Sequence, residues 1–321
     1  MEDRFAGIRE FVASVDRGSF TAAALALGVT GSAIGKSISK LERRLGVQLL
    51  HRTTRRIDLT SEGEAYLTSC RRILEELDQA EAYLSTGHQQ PIGRLLVDLP
   101  TTFGRRHILP ALLALGLRYP GLDLSVSLRD RPVDLVSEGI DLAVRIGALP
   151  DSSDLVARRL GEQHLIICAS PSYLKLRGIP ANRAQLSSHD CLTGWRRGYR
   201  PTWLLKNGQG EIEPQEIASR HELTDGDALL DACLAGGGLA QLPTWLADDA
   251  LRTGALVPVL SELSGGAMPI HVLWPKTWHL QPKVRVTVDE LVSLAARNRS
   301  VFHPAQTAGT DYAPADTVAN T

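Results

Sequence analysis

Along residues 1–60 apolar positions recur at spacings of three and four, punctuated by glycines. Phe5, Ile8, Phe11, Val12 and Val15 fall on one helical face, and Gly18 ends that helix. Ser19 stands where an N-cap belongs, so Thr21–Leu27 predicts a short second helix stopped by Gly28. Thr30 caps a third, with Ala33, Ile34, Ile38, Leu41 and Leu45 expected inward and Gly46 just beyond. Three helices with a glycine-bearing turn between the second and third predict a helix-turn-helix. The period then drops to two: VQLLHRT and RRIDLT read as short strands joined at Thr53-Thr54, with Ile57 and Leu59 alternating inward, which predicts a wing. Thr60 or Ser61 opens a long helix, in which Ser61 and Glu64 have capping-box spacing and Tyr66, Leu67, Ile73, Leu74, Leu77, Tyr83 and Leu84 form an apolar stripe. Carried to about Thr86 it would be roughly 37 Å long. A helix that long and singly striped predicts pairing with a second copy of itself.

Pro91 and Gly93 punctuate the next boundary, after which strands alternate with helices. Residues 95–99, 122–128, 141–146 and 165–169 read as strands, and 105–118 and 132–138 as helices. A second cycle has a helix at Ala228–Leu234, the turn Gly236-Gly237-Gly238, the strands LAQL and IHVLW, and a closing helix from about Val284 to Asn298. This alternation predicts an α/β domain of two lobes on a largely parallel sheet, with a cleft between them. The expected organisation is a helix-turn-helix domain at 1–60, a linker and dimerisation helix at 61–90, a two-lobed domain at 91–301 and a disordered tail at 302–321. The fold class is thus an α+β winged helix-turn-helix joined to an α/β two-lobed domain.

Charge sharpens this division. The 321 residues carry a formal net charge of −1, which opposes a surface that coats nucleic acid throughout. Yet from Gly31 to Arg56 Lys36, Lys40, Arg43, Arg44, Arg52, Arg55 and Arg56 face the single acid Glu42. The basicity is concentrated on the third helix and the wing. The start MEDRFAGIREF lacks a secretory apolar region and no run of about 18 apolar residues occurs, so a cytoplasmic chain with no membrane partner is expected. Cys70, Cys168, Cys191 and Cys233 form no C-x-x-C pair and read as free thiols, and neither a metal nor a cofactor is expected.

The stretch Gly31–Ser37, GSAIGKS, imitates a phosphate-binding loop but has three residues between its first glycine and Gly-Lys-Ser where the loop needs four. It also follows a helical run rather than a buried strand. Within a helix, Gly35 costs about 1 kcal/mol relative to alanine. Either close approach of backbone to DNA repays that cost, or the residue is tolerated on an exposed face.

The run FVASVDRGSFTAAALALGVTGSAIGKSISKLERRLGVQLLHRTTRRIDLTSEG resembles the winged helix-turn-helix of the LysR-type transcriptional regulators. ILPALL, DLAVRIG, CASPSYL, DCL, DGDALLDACLAGGGLAQLP and KVRVTVDEL resemble that family's effector domain, itself similar in fold to two-lobed periplasmic binding proteins. The resemblance implies a regulator that binds double-stranded operator DNA as a dimer or tetramer, responds to a small-molecule effector and meets RNA polymerase at target promoters. A recognition helix starting at Thr30 would bring Ser32, Lys36 and Ser37 to the DNA, with Arg52 and Arg55 of the wing placed for phosphates or the minor groove. Arg43 and Arg44 face outward, as contacts or as solvated charges. Gly31 and Gly35 stand where the family more often carries Gln and Ser, so its base contacts do not carry across at these two positions.

For the effector, the resemblance implies a pocket between the lobes. Pro100, Thr101 and Thr102 follow the first strand and precede a helix, a place for hydroxyls and N–H groups to hold an anion or simply to cap. Gly147, Ser170, Thr224 and Asp225 occupy matching loops, Ser170-Pro171 also reading as an ordinary N-cap. Trp195 and Trp203 lie in an irregular segment, overhanging the pocket or packed. No catalytic residue is assigned: G-x-S-x-G and H-E-x-x-H are absent, and His51, His107, His164 and His271 read as surface or packed rings. A solute-binding transport component would suit residues 91–301 alone but not the basic helical module. An architectural DNA protein would need more positive charge.

Overall fold

The computed structural model describes residues 5–52, 57–85, 90–149, 152–194, 200–264, 266–276 and 281–304. The chain packs as two compact units, Met1–Gly93 and Arg94–Thr321.

The first unit contains α1 (Ile8–Arg17), α2 (Phe20–Leu27), α3 (Gly31–Leu45), β1 (Leu50–Arg52), β2 (Ile57–Leu59) and α4 (Ser61–Ser85). Short-range chemistry builds the helix-turn-helix. The Ser19 hydroxyl accepts from Ala22 N at 3.1 Å and the Thr30 hydroxyl from Ala33 N at 3.3 Å, each cap contributing about 1 kcal/mol. Gly18, Gly28 and Gly46 end α1, α2 and α3 in the left-handed conformation. Phe11, Ile34, Ile38, Leu41, Leu49, Leu50, Leu67 and Cys70 make the core.

Three positions expected inward are not. Phe5 is 63% exposed because α1 begins only after Gly7, whose φ of 89° breaks the helical period. Ala33 is exposed, one residue off the buried row Ile34, Ile38 and Leu41, and Leu45, at the last helical position, is 37% exposed. β1 and β2 pair antiparallel with Arg52 opposite Ile57, and the turn at 53–56 lies outside the described residues. Thr60, not Ser61, caps α4: Gly63 N donates to its hydroxyl at 2.9 Å. Ser61 is already helical and donates to Glu62, so no capping box joins it to Glu64. Gly63 is obligatory, because a Cβ there would sit 2.1 Å from the Leu49 carbonyl oxygen. The start of α4 thus belongs to the domain core through Leu67 and Cys70, whereas Leu77 is 48% exposed.

In the second unit β3 (Gly93–Leu99) leads into α5 (Thr101–Phe103), a π turn (Gly104–Ile108) and α6 (Leu109–Arg118), followed by β4 (Leu122–Leu128), β5 (Leu142–Ile146) and β6 (Leu155–Ala169). Then come α7 (Pro171–Arg177), β7 (Cys191–Thr193), β8 (Thr202–Lys206), β9 (Ile212–Glu216), β10 (Ser219–Glu222) and α8 (Gly226–Leu234). β11 (Leu239–Pro243), α9 (Thr244–Arg252), β12 (Val257–Pro258), β13 (Ala267–Pro275), α10 (Pro282–Arg297) and α11 (Arg299–Phe302) complete it.

One sheet runs β10-β7-β11-β6-β13-β5-β3-β4, with β12 on β6. It is mixed rather than largely parallel. β3 pairs parallel with β5, and β7 with β10 and β11, but β6 is antiparallel to β11, β12 and β13, and β13 to β5. The chain crosses from the first lobe to the second along β6 and returns along β13, so these two strands must oppose each other. Along the second half of β6 alternate residues serve two cores: Ile167 and Ala169 pack with Tyr173, Trp203 and Leu205, Ile166 and Cys168 with Leu229, Leu242 and Leu246.

Residues 132–138, expected as a helix, form a turn. Asp134 Oδ1 accepts from Val136 N and Ser137 N at 3.0 and 3.2 Å, satisfying locally the donors a helix would need, and Pro132 removes another. The expected tail also starts too early: Phe302 is fully buried, its ring 5.5 Å from that of Phe103 and its carbonyl lying over Gly161. Gly161 has no room for a Cβ, and the pair closes the first lobe's core of Leu95, Leu99, Phe103, Leu112, Val144 and Leu291. Residues 305–321 lie outside the described set. Among the described residues no single helix is long and apolar enough to cross a membrane.

Candidate functional site

On α3 the apolar row faces the core, and the opposite row, Ser32, Gly35, Lys36, Ser39, Lys40 and Arg43, lines one shallow groove. It contains three cations and no acid, because Glu42, the lone acid of the basic window, is turned inward and only 8% exposed. Thr30 Oγ1 lies 3.2 Å from Ser32 Oγ, which fixes the hydroxyls at the start of the helix. Ser37 is half-buried and lies beside the groove lining, with its backbone against Gly7. Among the described residues a Cβ on Gly31 or Gly35 would meet nothing within 4 Å, so none of their packing demands either glycine.

The two arginines expected to face outward part company. Arg43 is exposed, whereas Arg44 is half-buried beside α4, where burial pushes the Tyr66 hydroxyl up and the Arg44 guanidinium opposes that shift. Arg52 stands at the end of β1, and Arg55 lies outside the described residues. Sequence reasoning missed Ser39 and Lys40 as partners of Ser32 and Lys36, although their helical spacing signalled it.

The loop residues of the second unit come together in two groups. Thr101 N donates to Asp130 Oδ1 at 3.0 Å. Thr102, 6% exposed, donates its hydroxyl hydrogen to Asp225 Oδ2 at 3.1 Å and accepts from Gly226 N at 3.1 Å. Asp225 also caps α8 through Ala228 N at 3.0 Å. Arg105 and Arg106 both pair with Asp227. The segment after Pro100 in one lobe is therefore bound to the start of α8, just after Thr224, in the other. The Thr101 N–H and the Thr102 hydroxyl are held by carboxylates of the chain itself.

A second group lines the crossing strands. Gly147, with φ 105°, donates to the Pro269 carbonyl at 2.8 Å, and its Cα side faces the Met268 methyl. Gln163, 5% exposed, donates to Met268 Sδ at 3.6 Å and accepts from Trp245 Nε1 at 2.8 Å. The Trp245 ring stands edge-on to His107 at 4.9 Å and to Phe103 at 5.3 Å. His107 Nε2 is buried without a partner, and burial, helped by Arg106, holds this imidazole below the usual histidine range.

Ser170 stands apart from these groups as the buried cap of α7, accepting from Tyr173 N at 3.3 Å with Pro171 in the first turn. Trp203 is a core residue of the second lobe, and Trp195 lies outside the described residues. Below the loops, Asp98 is fully buried between two guanidiniums, Arg129 Nε and Arg145 Nη2, each at 2.6 Å. The four thiols are buried and unpaired, and burial pushes Cys191 up to about 12. Among the described residues no group of His, Cys, Asp or Glu is arranged to hold a metal ion. Arg105, Arg106, Gln163, Trp245 and Asp227 were not among the residues expected at the cleft, though the Arg105-Arg106 pair two residues beyond Thr101-Thr102 was a visible signal.

Two family models cover nearly all of this architecture. The LysR substrate binding domain matches residues 88–296, and the bacterial regulatory helix-turn-helix protein, lysR family, matches residues 5–64. An HTH-type transcriptional repressor of Pseudomonas aeruginosa is 37% identical over 302 residues, covering 93% of this chain and 94% of the relative. The regulator CrgA of Neisseria meningitidis is 34% identical over 289 residues, covering 90% and 96%. Its solved structure matches with a TM-score of 0.58 over 90% of this chain and 98% of that one, at 32% identity. The full-length Vibrio cholerae virulence activator AphB matches with a TM-score of 0.57 and 28% identity over 89% and 98%.

Proposed function

The chain belongs to the LysR family of bacterial transcriptional regulators, and from that premise we propose how its own residues serve DNA binding and effector response. The protein acts in the cytoplasm as a dimer or tetramer on a dyad-symmetric operator, with α3 in the major groove. Thr30, Ser32, Lys36 and Ser37 lie at or near the base edges, and Arg52 and Arg55 hold backbone phosphates. The observation that carries this reading is the groove of Ser32, Gly35, Lys36, Ser39, Lys40 and Arg43, whose lining holds three cations and no acid. The exposed Leu77 supports self-pairing along α4.

In the second unit a small-molecule effector binds between the lobes near Pro100, Thr101, Thr102, Gly147, Thr224 and Asp225, with Ser170 at the margin. It acts by favouring one assembly geometry over another, and so alters engagement with RNA polymerase at the promoter. The Thr102–Asp225 hydrogen bond joins the two lobes, which makes it a contact that an entering ligand would rearrange.

Gel shift with the full chain on DNA flanking its own gene, at several salt concentrations, tests both halves. Lys36→Ala should weaken operator binding by about 1–3 kcal/mol if the side chain reads a base, or flatten the salt slope by about 1 if it holds a phosphate. Unchanged affinity and slope would remove α3 from the interface. Thr102→Val should keep basal DNA binding but lose the response to the metabolite that shifts the wild type. Loss of DNA binding instead would make Thr102 purely structural.

A further inference from the structure

Glu42 is the one acid in the basic window, and its carboxylate reaches backbone N–H groups. Its Oε1 accepts from Leu49 N at 2.9 Å and from Leu50 N at 3.3 Å. These are the residues at which the chain leaves the turn after α3 and enters β1. The stretch from Gln48 to Leu50 is also gripped from the other side. Thr60 N donates to the Leu49 carbonyl at 3.1 Å, the Thr60 hydroxyl donates to the Gln48 carbonyl at 2.7 Å, and Gly63 lets α4 close against Leu49.

Residues 48–50 therefore form a junction: the Leu49 and Leu50 N–H groups belong to α3 through Glu42, and the Gln48 and Leu49 carbonyls belong to the start of α4 through Thr60. Leu49 and Leu50, 1% and 2% exposed, lock it into the core. β1 continues from this junction to Arg52, paired in register with Ile57. The strand cannot change its angle to α3 without breaking a buried pair of hydrogen bonds to one carboxylate oxygen.

We infer that Glu42 is a positioning residue for DNA binding, which sets the wing against the recognition helix so that both reach one duplex together. The inference rests on the placement of α3 and the wing on DNA described above. A phosphate contact from the wing counts only if the strand carrying it arrives at the right distance from a helix already seated in the groove. Reach, not charge, is what the carboxylate supplies.

Two variants separate reach from charge. Glu42→Asp keeps the charge but withdraws it by one methylene, while Glu42→Gln keeps an acceptor oxygen at the same reach and loses the charge. In the full-length protein, below the unfolding midpoint of each variant, Glu42→Asp should speed hydrogen exchange at the Leu49 and Leu50 amides. It should also lower operator affinity roughly tenfold and make the plot of log affinity against log salt shallower by about 1 to 2, the signature of lost phosphate contacts. Glu42→Gln should keep the wild-type salt slope and most of the affinity. A merely structural role would lower the unfolding midpoint without moving the slope. An unchanged slope in folded Glu42→Asp, or a defect in Glu42→Gln with Glu42→Asp normal, would overturn the positioning role. Failure of the wild-type chain to bind any operator would overturn the DNA placement beneath it.

Discussion

Gly35 offers a perturbation whose sign the structure fixes in advance. It lies at the fifth position of a 15-residue helix, and among the described residues nothing beyond the helix's own backbone and its chain neighbours comes within 4 Å of where a Cβ would stand. Replacing it by alanine adds no clash and leaves the Ser39 hydroxyl bond to the residue 35 carbonyl, at 2.7 Å, in place. What remains is the backbone entropy of glycine, about 1 kcal/mol in a helix interior. The unit that contains it ends at Gly93, and for a domain of such size 1 kcal/mol moves the midpoint by about 4–8 °C. Calorimetry on wild type and Gly35→Ala at one protein concentration should show that rise in the transition of the first unit. A fall, or no change, would mean that the open space beside Gly35 is not open and would refute the reasoning. Operator binding by the same variant then separates the two readings of the residue. Undiminished affinity marks a tolerated weak position, and a loss of tenfold or more marks a place where backbone must come close to DNA, since Gly35 lines the groove with Ser32 and Lys36.

Two further outcomes follow from the second unit. Burial holds His107 below its usual range, so the unfolded chain takes up its proton first: the stability due to the neutral ring is complete above about pH 6.5 and is lost as pH falls through the depressed folded value. Denaturant midpoints measured from pH 8 down to pH 5 should fall, and His107→Phe should flatten part of that fall, the remainder belonging to His189 and His271, which burial also lowers; an unchanged slope in the variant would place the ring in water. Phe302→Ala should cost about 3–5 kcal/mol, read from the denaturant midpoint of the first lobe, and a cost under 1 kcal/mol would return Phe302 to the tail.

The helices of the first unit were legible because their determinants are local. Ser19 and Thr30 cap over three residues, and Gly18, Gly28 and Gly46 stop within one turn. The exposed face of α3 could be read for the same reason, once Lys36 and the inward row were placed. The contacts between the lobes were missed because of distance along the chain. Thr102 meets Asp225, and Arg105 and Arg106 meet Asp227, across more than 120 residues, so no spacing announces them. Strand direction is equally non-local: the run 165–169 was recognisable as β, but nothing in it tells that β6 begins at Leu155 and opposes β13. At 132–138 the alternation of strands and helices suggested a helix, while Asp134 had a local solution in a turn. Glu42 was visible as the single acid among seven cations, and composition alone gave it no task.

The pairing of β6 with β13 shifts register between Ile270 and His271, opposite the passage from Arg159 to Gly161, where Leu160 has no partner. That bulge falls where one strand passes out of the first lobe's core, under the Phe302 carbonyl, and on toward the second. The lobes are therefore not two bodies tethered by loose cord but two wings of a single twisted sheet. Rotation of one against the other has to be absorbed as torsion in a shared spine, whose ladder is interrupted at the bulge at Leu160.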